Sequence, residues 1–151
     1  MPTSERLTAL GIELPPVAAP VAAYVPATRV GNQIWTSGQL PFVDGELVAV
    51  GKVGGAVSQD DAAAAARTAA LNAVAAAAAL AGGVDNIRRV LKVVVFVASE
   101  PGFTAQPAVA NGASNLLGDI FGESGVHVRS AVGVAVLPLD SAVEVELVVE
   151  V

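Results

Sequence analysis

From 143 to 151 apolar and acidic residues alternate, with Val143, Val145, Leu147, Val149 and Val151 on one side and Glu144, Glu146 and Glu150 on the other. A period of two predicts a β-strand that buries one face. The stretch before it alternates as well: Val128, Ser130, Val132, Val134 and Val136 share a face, and His127, Arg129, Ala131, Gly133 and Ala135 share the opposite one. Pro138 and Asp140 supply turn chemistry between the two, so 127–151 reads as a β-hairpin whose valines hold the core. In that hairpin Arg129 stands over a floor of small side chains. Such a floor either admits another backbone or leaves room for a ligand.

Earlier in the chain, 4–10 predicts a short helix capped by Ser4, after which Pro15, Pro16 and Pro20 force an extended run. Residues 1–20 are therefore expected to be a lead-in, and 21–151 a single domain. Within it, 21–25 and 33–37 read as strands paired around a turn at 26–32 that contains Gly31 and Asn32, and 46–50 as a third strand after the Asp44-Gly45 turn. The alanine-rich run Gln59–Ala81 predicts one long helix, opened by Ser58 with Asp61 three residues later and stopped by Gly82 and Gly83. Its roughly 23 residues at about 1.5 Å each span on the order of 34 Å, which invites a membrane reading. Arg67, Thr68 and Asn72 interrupt the run, and alanine is too weakly apolar to insert without leucine, so packing on a sheet is preferred.

The run 90–98 is apolar at nearly every position, as a central strand covered on both faces requires. Pro107 followed by Val109, Ala113, Leu116, Leu117, Ile120 and Phe121 marks a second, amphipathic helix ended by Gly122. Strands, long helix, strand, helix, hairpin: this order predicts an α/β (α+β) class, a single mixed β-sheet with both helices on one face. The other face is left for a partner subunit.

Composition sharpens that expectation. Of 151 residues 54% are hydrophobic and only 15% charged, too few charges to solvate a whole monomer surface comfortably, so a homo-oligomer is expected. Eight Lys plus Arg against fourteen Asp plus Glu give a net charge of −6, which repels phosphate backbones; no nucleic-acid partner is expected. Cysteine is absent and histidine occurs once, so there is no disulfide framework and no thiolate site, and metal binding would rest on carboxylates alone. The N-terminal residues lack the charged and apolar regions of a signal peptide, which leads us to expect a cytoplasmic protein with no membrane association.

Arg129 is the strongest candidate for chemistry, since a guanidinium above small residues can grip a carboxylate through two hydrogen bonds. A salt bridge to one of the glutamates is the plainer alternative. Glu144 could hold or activate water, or could belong to a solvated strand edge with Glu146 and Glu150. In a simple hairpin it lies roughly 13 Å from Arg129, too far for an ion pair. His127 shares the Arg129 face without a visible partner and reads as an edge residue. Ser37, in Thr36-Ser37-Gly38-Gln39, and Tyr24 could offer hydroxyls to a ligand or simply close a strand end and fill a core. Asn111, inside the second helix, could face a site or a neighbouring backbone. The glycines have no phosphate-loop spacing.

Several of these residues fall into a pattern. Tyr24-Val25 followed by Gly31-Asn32, then Ile34-Trp35-Thr36-Ser37-Gly38-Gln39-Leu40-Pro41, then the run 93–97, and above all Arg129-Ser130-Ala131-Val132 running through Leu137-Pro138 to Glu144-Val145-Glu146 resemble the Rid/YjgF family of reactive-intermediate deaminases over about residues 20–151. The resemblance implies a chorismate-mutase-like fold assembled as a homotrimer with ligand clefts between subunits. It also implies cofactor-independent hydrolysis of enamines and imines such as 2-aminoacrylate to 2-keto acids and ammonia. Arg129 would then bind the substrate carboxylate, Glu144 would position or activate water, and Tyr24, Ser37 and Asn111 would line the pocket. Ala131 stands where many members carry cysteine, the loop 42–46 is shorter and the lead-in longer, and Asn111-Gly112-Ala113-Ser114 with Gly133-Val134 looks like a side branch of the family. The alternative from another class is a trimeric, non-catalytic binder of small carboxylates or keto acids.

Overall fold

The computed structural model describes residues 1–19 and 23–151. In chain order the elements are α1 (Thr3–Leu10), β1 (Ala27–Val30), β2 (Gln33–Thr36), β3 (Phe42–Val43), β4 (Glu46–Leu47), α2 (Gln59–Ala81), β5 (Arg89–Ala98), α3 (Gln106–Phe121), β6 (Val128–Val134) and β7 (Val143–Glu150). The main sheet has the order β1-β2-β7-β5-β6, and β3 with β4 forms a small separate ribbon. All pairings in the main sheet are antiparallel except β5 with β6, which are parallel and joined through α3. This is the mixed sheet and single helical layer that the order of elements predicted.

β5 lies between β7 and β6, and that placement overturns the expected C-terminal hairpin. Val95 is opposite Val145 on one side and Ala131 on the other, so β6 and β7 never pair. As the central strand, β5 has backbone partners on both edges and displaces the local pairing. Only its Val93, Val95 and Val97 face is fully covered, whereas Lys92, Val94 and Phe96 lie on the open face, so the expected cover on both faces is not found. The connector is no tight turn either. A 3-10 turn at Pro138–Asp140 carries the chain across the end of β5, where the Ala98 N–H donates to Ala142 O at 2.9 Å.

The side-chain faces of β6 are also reversed from expectation. Arg129 and Ala131 share the helix-facing side with Val93 and Val95, whereas Val128 and Val132 share the other side with Lys92 and Phe96. Val128 and Val132 are 66% and 43% exposed, so these valines do not hold the core. The core is supplied instead by Val143, Val145, Leu147 and Val149 of β7, by Val93, Val95 and Val97 of β5, and by the two long helices above them.

α2 lies over β7 and β2, and α3 over β5 and β6. Although long and apolar enough to cross a membrane, α2 buries its alanines against the sheet and α3. Ser58 Oγ accepts from the Asp61 N–H at 3.1 Å, and Gly82 in a left-handed conformation ends the helix. Asn72 ties the helix to the β3 side, donating to Leu40 O and Phe42 O at 3.0 and 3.1 Å. The helices touch where Gly112 meets the Ala63 carbonyl, leaving no space for a β-carbon.

The N-terminal elements depart from expectation in detail. α1 begins at Thr3 after Pro2, with no side-chain cap at its N-terminus, so Ser4 is not its cap. The Ser4 N–H and hydroxyl instead donate to the two carboxylate oxygens of Asp85 at 2.7 and 2.6 Å. Those bonds hold the Asp85 carboxyl below its ordinary range, and an anion at a helix N-terminus is favourable in its own right. The first expected strand, 21–25, lies partly outside the described residues, and 23–25 are not in a strand. β1 runs Ala27–Val30 within the segment expected to turn, and pairs with β2 around Gly31-Asn32. The strand expected at 46–50 is cut to Glu46–Leu47.

Candidate functional site

Arg129 leaves β6 on the helix-facing side, next to α3. Asn111 and Ser114, one turn apart on α3, meet it there: Arg129 Nη1 donates to Asn111 Oδ1 at 2.8 Å and to Ser114 Oγ at 3.2 Å. Both hydrogens of Nη1 are thereby used, by neutral partners. The described residues place no carboxylate within salt-bridge distance of Arg129; their ion pairs are Arg67 with Asp119 and Arg89 with Glu150. The glutamate salt bridge weighed as its alternative role is therefore not formed among them. Among the described residues Nε and Nη2 have no partner, and they form the edge that accepts a carboxylate side-on.

His127, read as an edge residue without a partner, has two. Its Nδ1 lies 2.6 Å from Gly125 O, and its Nε2 lies 2.9 Å from Ser114 Oγ. Ser114 was not singled out from sequence. The signal was present, since Asn111 and Ser114 share a helix face and His127 and Arg129 share a strand face. What sequence did not reveal was that these two faces meet.

Glu144 belongs to the opposite side of the sheet. It is opposite Phe96 in the β5–β7 pairing, and Phe96 points away from the helices, whereas Arg129 is opposite Val93, which points into the core. The two Cα atoms are three positions along β5 and two strands apart, roughly 14 Å. The spacing resembles that of a hairpin, yet the side chains diverge onto different faces. Within one protomer Arg129 and Glu144 cannot close on one small ligand.

A local irregularity gives Glu144 its surroundings. Trp35 is opposite Val148 and Gln39 opposite Val145, so the β2 side holds one more residue than β7 between these points, as in a bulge. The Thr36 hydroxyl fills the gap by accepting from the Leu147 N–H at 3.0 Å. Gly38 is thus laid against the Glu144 carboxylate, where any β-carbon would overlap Oε1. Burial, reinforced by Glu146 on the same face, pushes the Glu144 carboxyl above its ordinary value. A carboxylate with raised proton affinity suits a general base.

Tyr24 and Gly38 line a hollow of about 30 Å³ with Pro26, Gln39 and Leu40. Tyr24 is 45% exposed rather than a core residue. Ser37 spends its hydroxyl proton on Val25 O at 2.6 Å, and its N–H on Pro26 O at 2.8 Å. It therefore fastens the segment carrying Tyr24 and offers a ligand only oxygen lone pairs. The predicted residues thus fall into two groups, Arg129 with Asn111 at the β6–α3 edge and Glu144 with Tyr24 and Ser37 at the bulge. No cluster of three or more metal-ligating side chains occurs among the described residues.

A family model described as "YjgF/chorismate mutase-like, putative endoribonuclease" matches residues 4–151. Protein TCP17 of Trypanosoma cruzi is 47% identical over 146 residues, 96% of this chain and 91% of that protein. The crystal structure of Atu1372 from Agrobacterium tumefaciens, a protein of unknown function, is similar with a TM-score of 0.89 at 46% identity, over 99% of this chain and 92% of that one. A Shewanella oneidensis MR-1 structure carrying the same endoribonuclease designation superposes with a TM-score of 0.96 at 36% identity, over 100% of both chains.

Proposed function

The chain belongs to the YjgF/chorismate-mutase-like family, and from that premise we propose that it hydrolyses small enamine or imine carboxylates of the 2-aminoacrylate type to 2-keto acids and ammonia, without a cofactor, in the cytoplasm. The observation that carries this reading is the state of Arg129: its guanidinium is held by neutral groups, and its Nε–Nη2 edge has no partner among the described residues. An uncompensated cation in that geometry is a receptor for a carboxylate.

The opposed faces of Arg129 and Glu144 support a reading in which the rest of the reaction belongs to an assembly. In a homotrimer with clefts between subunits, Arg129 of one subunit anchors the substrate carboxylate and Glu144 of its neighbour faces the reacting carbon. Tyr24 and Asn111 line the two walls, with Ser37 holding the Tyr24 segment. The enamine tautomerises to the imine and water adds to the imine carbon. Glu144 takes the water proton as the C–O bond forms and returns it to nitrogen. Glu144 next moves the hydroxyl proton of this carbinolamine to its NH2 group, and as the C–N bond breaks the oxygen's electron pair forms the carbonyl and ammonia leaves. Positioning and general base catalysis account for the acceleration. Exposed apolar side chains on the open sheet face, Trp35 on β2 and Val128 and Val132 on β6, support burial of that face against another subunit.

The test generates 2-aminoacrylate enzymatically and follows its decay. The wild-type protein accelerates decay, and Arg129→Ala lowers kcat/KM by about 100-fold, the scale of a lost charge-assisted hydrogen-bond pair. No acceleration by the wild type over the uncatalysed rate rejects deamination of this substrate.

The separation of the two residues within a protomer favours a second reading, a trimeric binder of small carboxylates or keto acids. Glu144→Gln separates the two, because a hydrolase loses turnover while still binding pyruvate and a binder has no turnover to lose. The endoribonuclease designation is not carried over. The net charge of −6 opposes an RNA backbone, and the lone histidine is engaged by Ser114 and Gly125.

A further inference from the structure

We infer that Ser114 and His127 are positioning residues for Arg129, a relay that fixes which edge of its guanidinium meets the substrate carboxylate. The inference rests on the carboxylate-binding reading of Arg129 and adds a mechanism for its precision. The relay starts at Gly125, whose carbonyl can only accept, so His127 Nδ1 carries the proton that donates to it at 2.6 Å. Nε2 of the neutral ring then has a lone pair and accepts the Ser114 O–H at 2.9 Å. With its proton committed to His127, Ser114 Oγ presents lone pairs to Arg129 Nη1 at 3.2 Å.

Asn111 Oδ1 takes the other Nη1 hydrogen at 2.8 Å. The amide group of Asn111 could reorient, and a serine hydroxyl alone could rotate to donate elsewhere. The imidazole removes that freedom for the hydroxyl. Gly125 is itself fixed, because the 3-10 turn Gly122–Gly125 comes so close to α3 that a β-carbon at Gly125 would run into the Leu117 carbonyl and the Phe121 side chain. The C-terminal end of α3 thus sets the carbonyl, the carbonyl sets the tautomer, and the tautomer sets the hydroxyl. With Nη1 saturated, a ligand carboxylate is directed to the Nε–H and Nη2–H pair.

The experiment compares Ser114→Ala, His127→Asn, His127→Gln and Arg129→Ala in the full chain, using pyruvate as the binding probe and 2-aminoacrylate decay for kinetics. Ser114→Ala and His127→Asn raise the pyruvate Kd and the KM roughly tenfold, the weight of one hydrogen bond to a charged group, with kcat much less affected. His127→Gln recovers most of that loss, because its side-chain oxygen can reach the place of Nε2; a merely structural role would not distinguish Gln from Asn in this way. If Ser114→Ala and His127→Asn stay within about twofold of wild type while Arg129→Ala abolishes pyruvate binding, positioning is overturned and the carboxylate reading stands. If Arg129→Ala binds pyruvate as well as wild type, both fall. Independently of any ligand, ¹⁵N spectra of the apo protein should show His127 protonated on Nδ1 and bare on Nε2. The opposite tautomer overturns the relay.

Discussion

Arg129 is fixed by two neutral partners and Glu144 is half-buried beside another glutamate, and those surroundings set what each can be tested for. Glu144 is half-buried with its carboxyl pushed upward by burial and by Glu146, so the folded chain holds that proton more tightly than the unfolded one. Folding is then favoured while the group is protonated and loses that advantage as pH rises through the raised value. Glu144→Gln removes the cost. Its melting temperature should exceed that of wild type at pH 7 to 8, by no more than about 3 °C for a chain this long and a site this open to solvent, and the difference should vanish at pH values below the ordinary glutamate range. A variant less stable than wild type at pH 8 refutes the account. The candidate residues were legible in sequence because strand parity put Arg129 over small side chains and Glu144 on a charged face. Their partners were not. Ser114 and His127 meet only through the packing of α3 on β6, a contact that no spacing within either element encodes, and Gly38 reaches Glu144 only through a bulge.

At the scale of elements, α2, α3 and the strand runs were readable because their hydrophobic periods are long and unambiguous. The partner of each strand was not. The alternation of β6 and β7 is compatible with a hairpin, and the choice against it is visible only in the pairing of β5 with both of them. Once β5 intervenes, β6 can show its alanine and glycine face to α3, and its valines turn outward. Close packing of this kind also governs the helical layer. Gly112→Ala should lower stability by roughly 1–3 kcal/mol, the usual range for an overpacked contact, because the added methyl group overlaps the Ala63 carbonyl. A denaturation midpoint unchanged from wild type would show that the helices can separate freely, and α3 would then be a poor platform for Asn111 and Ser114.

At the scale of the whole molecule, a chain with 15% charged residues leaves one sheet face without a helical cover, and that face carries Trp35, Val128 and Val132 together with the Glu144 carboxylate. Sequence indicated the uncovered face, through the count of helices and the shortage of charge, but not which valines would lie on it. The placement of Arg129 and Glu144 on opposite sides of one sheet has a consequence in genetics. On the intersubunit reading the two lesions are separable, since an Arg129→Ala chain keeps a sound Glu144 wall and a Glu144→Gln chain keeps a sound Arg129 wall. Equal amounts of the two, unfolded and refolded together, should regain activity in about a quarter of their clefts by random assembly, well above the residual activity of either alone. A site contained in one protomer would regain none. Two defective alleles of the same gene would then complement one another in a single cell.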